Sequence, residues 1–329
     1  MGFVLFCRLE WKQFIDANLI SKDMQGIKIS NLARVILIFV GITALVSVTA
    51  AGAQQRQVRD LLGRDLSVPA TPRRVVALAP NITEIVYALG QAHRLVGATT
   101  YSDFPPAAAL LPKVGSYVHL DLERIVALNP DLCLAIKDGN PITAVSRLES
   151  FNIPVYAVDP RNLDSVMDTI MRIGHLLQAE ERADMLVSDM QARIQAVVER
   201  VGHANHRPKV FFQIGIAPIV SVGTNTFIHE LIEMAGAHNL AAGNIAYPRF
   251  SKEQVLGLLP DVIIVTSMAR EAAFERIRND WYQWQDLPAV QHERVFVQDS
   301  NLFDRPSPRL VDALEILARL LHPELFEDS

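Results

Sequence analysis

Two glutamates, Glu123 and Glu253, stand at the same place in two similar segments, DLERIVALNPDLCLA and SKEQVLGLLPDVIIV. Each opens a predicted helix, where a carboxylate complements the helix dipole by roughly 0.3–1 kcal/mol. Ser251 and Gln254 form a capping-box pattern, which places Glu253 in the first helical turn. Helix stabilisation explains either glutamate singly. It does not require the same residue twice, so the repetition favours a further role for the pair.

No constellation of catalytic residues is visible in the sequence. It contains no G-x-S-x-G, no G-x-x-x-x-G-K-[ST], no H-E-x-x-H, and no G-x-G-x-x-G after its first strand. The nine histidines are scattered, and His119 is open to interpretation as a ligand contact, a metal ligand or a plain loop residue. We therefore predict no catalytic residue, no metal site and no cofactor, and we favour ligand capture over catalysis. A secreted hydrolase or metal-dependent enzyme is the alternative.

Composition and charge narrow the class of protein further. Of the 329 residues, 50 % are apolar and 20 % charged, which is ordinary for a globular protein with sizeable cores. The net charge of −5 argues against nucleic acid as a partner. The two cysteines, Cys7 and Cys133, form neither a metal-ligand spacing nor a disulfide framework. Cys133 lies in an apolar run and is predicted to be a buried thiol.

The N-terminal region, residues 1–53, reads as a secretory signal peptide. Arg34 precedes a long apolar run that ends in small residues at Ala51-Gly52-Ala53. We predict cleavage after Ala53 and a location in the periplasm. Met24 is a better candidate for the translation start than Met1, because residues 1–23 would be an unusually long polar segment in front of a signal peptide. An uncleaved membrane anchor is the alternative, since the run is close to spanning length.

The remaining chain alternates short apolar runs with helical patterns. This alternation predicts βαβ units and a mainly parallel sheet in each of two α/β lobes, residues 54–160 and 207–329. Residues 161–206 lack strand signals and carry apolar residues at helical spacing, which predicts a long spine helix between the lobes. An ordinary surface helix pair is the simpler alternative for this segment.

A second internal similarity supports two related lobes. TEIVYALGQAHRLVG resembles HELIEMAGAHNLAAG, with Glu84 aligned with Glu230 and Gly90 with Gly236. The period is too long for a solenoid repeat. The Pro-Asp pairs that end both glutamate-containing helices, Pro130-Asp131 and Pro260-Asp261, are interpreted as structural corners.

Several blocks resemble substrate-binding proteins of ABC importers, in the spine-helix class that carries siderophores, haem and cobalamin. The similarity runs from about Arg73 to the C-terminal helix and is strongest to the cobalamin branch. The blocks that carry it are APNITEIVYALG, GATTYSDFPP, DLERIVALNPDL, VFFQIGIAP, SKEQVL and NLFDRPSPRL. The resemblance implies a monomeric periplasmic protein that delivers cobalamin, or a related corrinoid, to a permease dimer. A ferric siderophore or haem is the alternative ligand.

The resemblance also implies roles for individual residues. Glu123 and Glu253 match the glutamates that dock onto permease arginines. The positions that match ligand contacts are Tyr101, Tyr117, Tyr247, Asn301, Leu302, Phe303, Asp304 and Arg305. This chain departs from the cobalamin pattern in several places. Tyrosines replace tryptophans at 117 and 247, isoleucines replace aromatics at 136 and 214, asparagine replaces aspartate at 301, and Ala235 replaces a disulfide cysteine.

Overall fold

The computed structural model describes residues 54–267 and 271–326. The predicted signal peptide, its cleavage site and the alternative membrane anchor lie outside these ranges. Among the described residues, no helix combines the length and apolarity needed to cross a membrane.

The N-terminal half (residues 54–160) contains a four-stranded sheet in which every pair is parallel, in the order β4-β3-β5-β6. A two-stranded antiparallel hairpin, β1-β2, precedes it. The strands are β1 (Gln55–Arg59), β2 (Asp65–Pro69), β3 (Val75–Ala77), β4 (Leu95–Ala98), β5 (Leu132–Ile136) and β6 (Val155–Val158). The helices are α1 (Pro80–Ala88), α2 (Leu122–Ala127) and α3 (Ile142–Ser150), with 3₁₀ turns at Ala92–Arg94 and Pro106–Leu110. All five residues of β5 are buried, because helices cover both faces of the sheet.

The predicted spine segment contains two helices, α4 (Leu163–Leu176) and α5 (Glu180–Val201). Gln178, with φ of +56°, makes the turn between them. A capping box of Asn162 and Ser165 starts α4. The long helix is α5, whose 22 residues span about 33 Å. It packs against α4 on one side and against the C-terminal helix of the chain on another.

The C-terminal half (residues 207–329) contains a sheet in the order β10-β8-β7-β11-β12, with β9 beside β7. Strand β8 pairs antiparallel with both β7 and β10, and the pairs β7-β9, β7-β11 and β11-β12 are parallel. The strands are β7 (Lys209–Gly215), β8 (Ile219–Ser221), β9 (His238–Asn239), β10 (Arg249–Phe250), β11 (Val262–Ser267) and β12 (Val295–Asp299). The helices are α6 (Phe227–Met234), α7 (Lys252–Leu258), α8 (Glu271–Tyr282), α9 (Pro288–Gln291), α10 (Ser300–Phe303) and α11 (Leu310–Leu321), followed by a 3₁₀ turn at Pro323–Leu325. The predicted α/β class with mainly parallel sheets is confirmed.

One hydrophobic core connects the two halves. It includes Val75 and Leu134 from the first sheet, Phe212 and Ile264 from the second, and Leu314 from α11, all fully buried. The opposite face of each sheet packs into a smaller core of its own. Because the inner faces share one core, the two sheets are held in a fixed relation by packed side chains.

The repeated Pro-Asp corners play the same structural part in both halves. Arg74 N donates to Asp131 Oδ1 at 2.9 Å, and Asp131 N donates back to Arg74 O at 2.9 Å. Lys209 and Asp261 make the same reciprocal pair at 2.8 and 2.9 Å. These pairs hold β3 beside β5 and β7 beside β11 at the start of each pairing.

The glycines of the second similarity also have equivalent roles. Gly90 and Gly236 adopt φ of +72° and +78°, a conformation that favours glycine. The residue after each one donates its N–H to the carbonyl five residues earlier, at 3.0 and 3.2 Å. Both α1 and α6 therefore end in the same Schellman-type turn.

Cys133 is a buried free cysteine in β5. Burial raises the pKa of its thiol, so it stays protonated and unreactive. The prediction of a buried thiol is confirmed, and Cys7 lies outside the described residues.

Candidate ligand-binding site

A cleft of about 690 Å³ opens where several parallel strands end. Asp138 follows β5, Arg161 follows β6, and Ser300 follows β12, and all three line the cleft. The carboxyl ends of parallel strands are the usual ligand position in open α/β sheets. The volume falls within the roughly 300–1,000 Å³ that is typical of small-molecule sites.

The three predicted tyrosines all line this cleft. Tyr101 and Tyr117 come from the N-terminal half and Tyr247 from the C-terminal half. Their exposed fractions are 43 %, 38 % and 50 %, so the rings present large surfaces to the opening. Ile136 and Ile214 add aliphatic surface to the cleft lining. The arrangement offers flat and aliphatic contacts to a large ligand from both halves.

Tyr117 is held in place by a glycine and a buried amide. Asn140 Nδ2 donates to Tyr117 O and to Leu78 O, both at 2.8 Å. Gly139 has φ of +143°, and a Cβ at this position would lie 2.7 Å from Cδ2 of the Tyr117 ring. A side chain at residue 139 would therefore displace the ring.

The loop after β12 places only part of the predicted run in the cleft. Asn301, Asp304 and Arg305 line it. Phe303 does not, because its side chain is fully buried and its ring centroid lies 5.9 Å from that of Phe212. Leu302 packs against the core. Of the run from 301 to 305 that was predicted to bind the ligand, Leu302 and Phe303 therefore lie outside the cleft lining.

Arg305 is buried and its two terminal nitrogens are occupied by protein acceptors. Nη1 donates to Glu84 Oε1 at 3.0 Å and to Asp103 Oδ1 at 2.8 Å. Nη2 donates to the Tyr101 carbonyl at 2.9 Å and to Asn301 Oδ1. The side chain thus fixes Tyr101 and Asn301 at the cleft and carries no unpaired positive charge.

Glu84 completes this network from α1. Its Oε2 accepts a hydrogen bond of 2.6 Å from Ser307 Oγ, and Arg309 Nη1 lies 3.6 Å from its Oε1. Burial raises the pKa of Glu84, against the hydrogen bonds from Ser307 and Arg305. Neither Glu84 nor Ser307 was a predicted site residue. Their partners are more than 200 positions away in sequence, so no local pattern indicates them.

Asp304 sits in the cleft without a cationic partner among the described residues. Thr266 Oγ1 donates to its Oδ2 at 3.2 Å. Its side chain is exposed and lines the cleft. Desolvation by the surrounding protein raises the pKa of Asp304 to about 7, opposed by the Thr266 hydrogen bond and the charge of Arg305 and reinforced by the charge of Asp299.

Two charged lining residues, Asp138 and Arg161, were not predicted. Arg161 Nε donates to Asp159 at 3.0 Å, and its Nη2 lies 3.7 Å from Asp138 Oδ1. Their position directly after strands β5 and β6 is the sequence signal that would have found them. His119 also lines the cleft and is exposed. No group of three metal-ligating side chains occurs within the described ranges.

Glu123 and Glu253 lie outside the cleft lining, and both are exposed in the first turns of α2 and α7. Asp121 caps α2, and Ser251 with Gln254 forms the predicted capping box of α7. Hydrogen bonds from Ser251 and from the Glu253 backbone lower the pKa of Glu253. Both carboxylates are accessible to a partner.

Two α/β halves with a cleft at their strand ends define a class of bilobal ligand-binding proteins. The chain belongs to the periplasmic binding protein family, whose family model matches residues 75–302. This membership agrees with ligand capture as its role.

Individual relatives cover most of the chain. An uncharacterized ABC transporter substrate-binding lipoprotein of Bacillus subtilis (strain 168) is 30 % identical over 275 residues, covering 82 % of this chain and 86 % of the relative. The crystal structure of a periplasmic vitamin B12 binding protein of Vibrio cholerae is 31 % identical with a TM-score of 0.69, covering 79 % and 100 % of the two chains. A periplasmic heme binding protein from Pseudomonas aeruginosa is 27 % identical with a TM-score of 0.71, covering 77 % and 93 %.

Proposed function

We propose that this protein captures a corrinoid, such as cobalamin, in the cleft and delivers it to the permease dimer of an ABC importer. It acts in the periplasm as a monomer, after export through its N-terminal segment. The similarity to an ABC transporter substrate-binding lipoprotein and to a vitamin B12 binding protein supports this role.

The pairing of charges in the cleft is the observation that favours a corrinoid over an anionic ligand. The cations that line it, among the described residues, are Arg161 and Arg305. Asp159 and Asp138 neutralise Arg161, and Glu84 and Asp103 neutralise Arg305. An anionic ligand needs a desolvated positive partner to offset its burial. A large ligand rich in uncharged amide groups, such as a corrinoid, does not.

Tyrosine and isoleucine side chains supply the remaining contact surface. Exposed rings at 101, 117 and 247 suit a broad, flat macrocycle. Cobalamin is larger than the drug-sized ligands that clefts of this volume usually enclose. Part of a bound cobalamin would therefore remain at the mouth of the cleft.

A haem complex is the second candidate, and a specific observation favours it. Tyr117 and His119 are two positions apart and both line the cleft. A phenol oxygen and an imidazole are both known haem-iron ligands. The similarity to a heme binding protein points the same way.

Calorimetry of the purified full chain against cobalamin, cobinamide, haem and ferric siderophores tests these proposals. The corrinoid proposal expects saturable binding of cobalamin or cobinamide with one site, and weak or no binding of haem. Tight haem binding that is lost in the double substitution Tyr117→Phe, His119→Ala, with no corrinoid binding, would establish the second candidate instead.

The delivery step is tested separately. Uptake of radiolabelled cobalamin into cells that carry this protein and its importer should stop when the protein is deleted and return when it is restored. Cell fractionation should recover the protein outside the cytoplasm.

A further inference from the structure

Asp304 has unused hydrogen-bonding capacity in the cleft. A carboxylate offers about four lone-pair sites. Within the described part of the chain, Thr266 Oγ1 is the side chain that donates to Asp304. The Asp304 side chain is open to the cleft, so its remaining acceptor sites face the space that a ligand would occupy.

The arginines near Asp304 donate their hydrogen bonds to other carboxylates, and the charge of Arg305 acts on Asp304 only by lowering its pKa. Arg305, its neighbour in sequence, donates to Glu84 and Asp103. Arg161, which also lines the cleft, donates to Asp159. The nearby carboxylate of Asp299 accepts the backbone N–H of Asn301 at 2.9 Å and adds negative charge.

Groups on other elements add to this acceptor-rich environment. Tyr247 feels the charges of both Asp138 and Asp304, and burial together with these charges raises its pKa, against Arg161. The phenol therefore remains neutral at physiological pH. Thr266 at the end of β11 contributes a hydroxyl and no charge. Asp304 thus faces the cleft in surroundings of net negative character.

We infer that Asp304 is a specificity-determining residue that accepts a hydrogen bond from a neutral donor on the ligand, such as a primary amide, and rejects a ligand with a carboxylate at that place. This inference rests on the proposed corrinoid function. The periphery of a corrinoid carries primary amides, whose N–H groups donate to a carboxylate. Hydrolysis of one amide replaces the donor with a negative charge, which Asp304 and Asp299 repel.

Titration of Asp304 makes the affinity for each ligand depend on pH in a stated direction. Desolvation by the surrounding protein raises the pKa of this carboxyl to about 7, so it is ionised at pH 8 and largely protonated at pH 6. An amide N–H binds the ionised form better, so affinity for the amide ligand rises with pH. A ligand carboxylate is repelled by the ionised form and accepts a hydrogen bond from the protonated form, so its affinity falls with pH.

The test is calorimetry of the purified full chain with cobalamin and with its monocarboxylic acids, each of which has one peripheral amide hydrolysed. At pH 8, at least one acid should bind about tenfold more weakly than cobalamin, as expected for a lost hydrogen bond to a charged group. This gap, the difference in affinity between cobalamin and the acid, should narrow at pH 6. Asp304→Asn should remove the pH dependence of the gap. Asp184→Asn, an exposed position on α5 that does not line the cleft, should preserve it.

The outcomes separate this inference from the proposed function. If every acid binds as tightly as cobalamin at pH 8, or if Asp304→Asn keeps the pH-dependent gap, the inference is wrong and the corrinoid function stands. If neither cobalamin nor any of its acids binds, the proposed function fails and the inference fails with it.

Discussion

Glu84 Oε1 and Arg305 Nη1 lie 3.0 Å apart in a buried ion pair that joins α1 to the loop after β12. Ser307 satisfies the second oxygen of Glu84, and Asp103 and the Tyr101 carbonyl satisfy further donors of Arg305. The network therefore occupies both terminal nitrogens of Arg305 with protein acceptors. It also connects the cleft-facing loops of both halves.

Replacing Glu84 tests the structural value of this pair. Glu84→Gln keeps the shape of the side chain but removes its charge, leaving Arg305 less well paired. We expect the free energy of unfolding to fall by about 1–3 kcal/mol, measured by urea denaturation. Glu181→Gln, at an exposed position on α5, should stay within about 0.5 kcal/mol of the parent. Equal stability of both variants would contradict a structural role for the pair.

The raised pKa of Asp304 predicts a pH-dependent stability effect. The folded-state pKa is about 7 against an ordinary 3.8, so the contribution of this group is favourable below pH 3.8 and is lost as pH rises towards 7. Asp304→Asn removes that loss. The melting temperature of the variant relative to the parent should therefore be higher at pH 8 than at pH 5. A difference that does not change between the two pH values would show that Asp304 titrates normally.

Gly139 is predicted to be required for the position of Tyr117. Gly139→Ala combines a strained φ of +143° with a Cβ 2.7 Å from the tyrosine ring. We expect a loss of about 1 kcal/mol or more in unfolding free energy, together with weaker ligand binding by calorimetry. Gly257→Ala in α7 meets no atom within 4 Å and should be neutral or stabilising. Full affinity in the Gly139 variant would refute the constraint.

The exposed glutamates are predicted to contact the permease and not the ligand. Charge reversal at both Glu123 and Glu253 should abolish cobalamin uptake by cells, because paired charges orient the docked complex. Calorimetric affinity for the ligand should be unchanged, since neither residue lines the cleft. Glu181→Arg serves as the charge control and should leave uptake intact. Normal uptake in the double variant would contradict a role for these glutamates in docking to the permease.

The shared hydrophobic core predicts little closure on ligand binding. Fully buried side chains of both sheets and of α11 pack in one cluster, and a large hinge motion would have to separate them. Small-angle scattering of the purified protein should show the same radius of gyration with and without ligand. A clear decrease on ligand addition would show that the halves rotate despite this core.

Local patterns in the sequence were sufficient for most of the regular elements. The apolar run at 132–136 forms a fully buried strand, and the helix predicted to end at Gly90 does so through a glycine with positive φ. The turn at Gln178 and the antiparallel strands β8 and β10 were not predicted. These strands are only two or three residues long, too short for a periodic signal.

The candidate site was only partly predictable, for physical reasons. The tyrosines and Asn301 reached the cleft as the family resemblance implied. Phe303 did not, because within one helical turn adjacent side chains point in different directions and its ring enters the core. The guanidinium of Arg305 donates to Glu84 and Asp103, which only the tertiary fold brings close to it.

The separation of Glu84 from Arg305 along the chain has a consequence for the order of assembly. A total of 221 positions separate them, so the part of the chain that carries Arg305 is synthesised well after Glu84. The loop carrying Tyr101 cannot gain its arginine anchor until that part has emerged, although its own residues are made much earlier. A chain truncated before residue 305 would retain all three cleft tyrosines and still lack a finished cleft. Competence to capture a ligand is therefore acquired only after residue 305 has been synthesised.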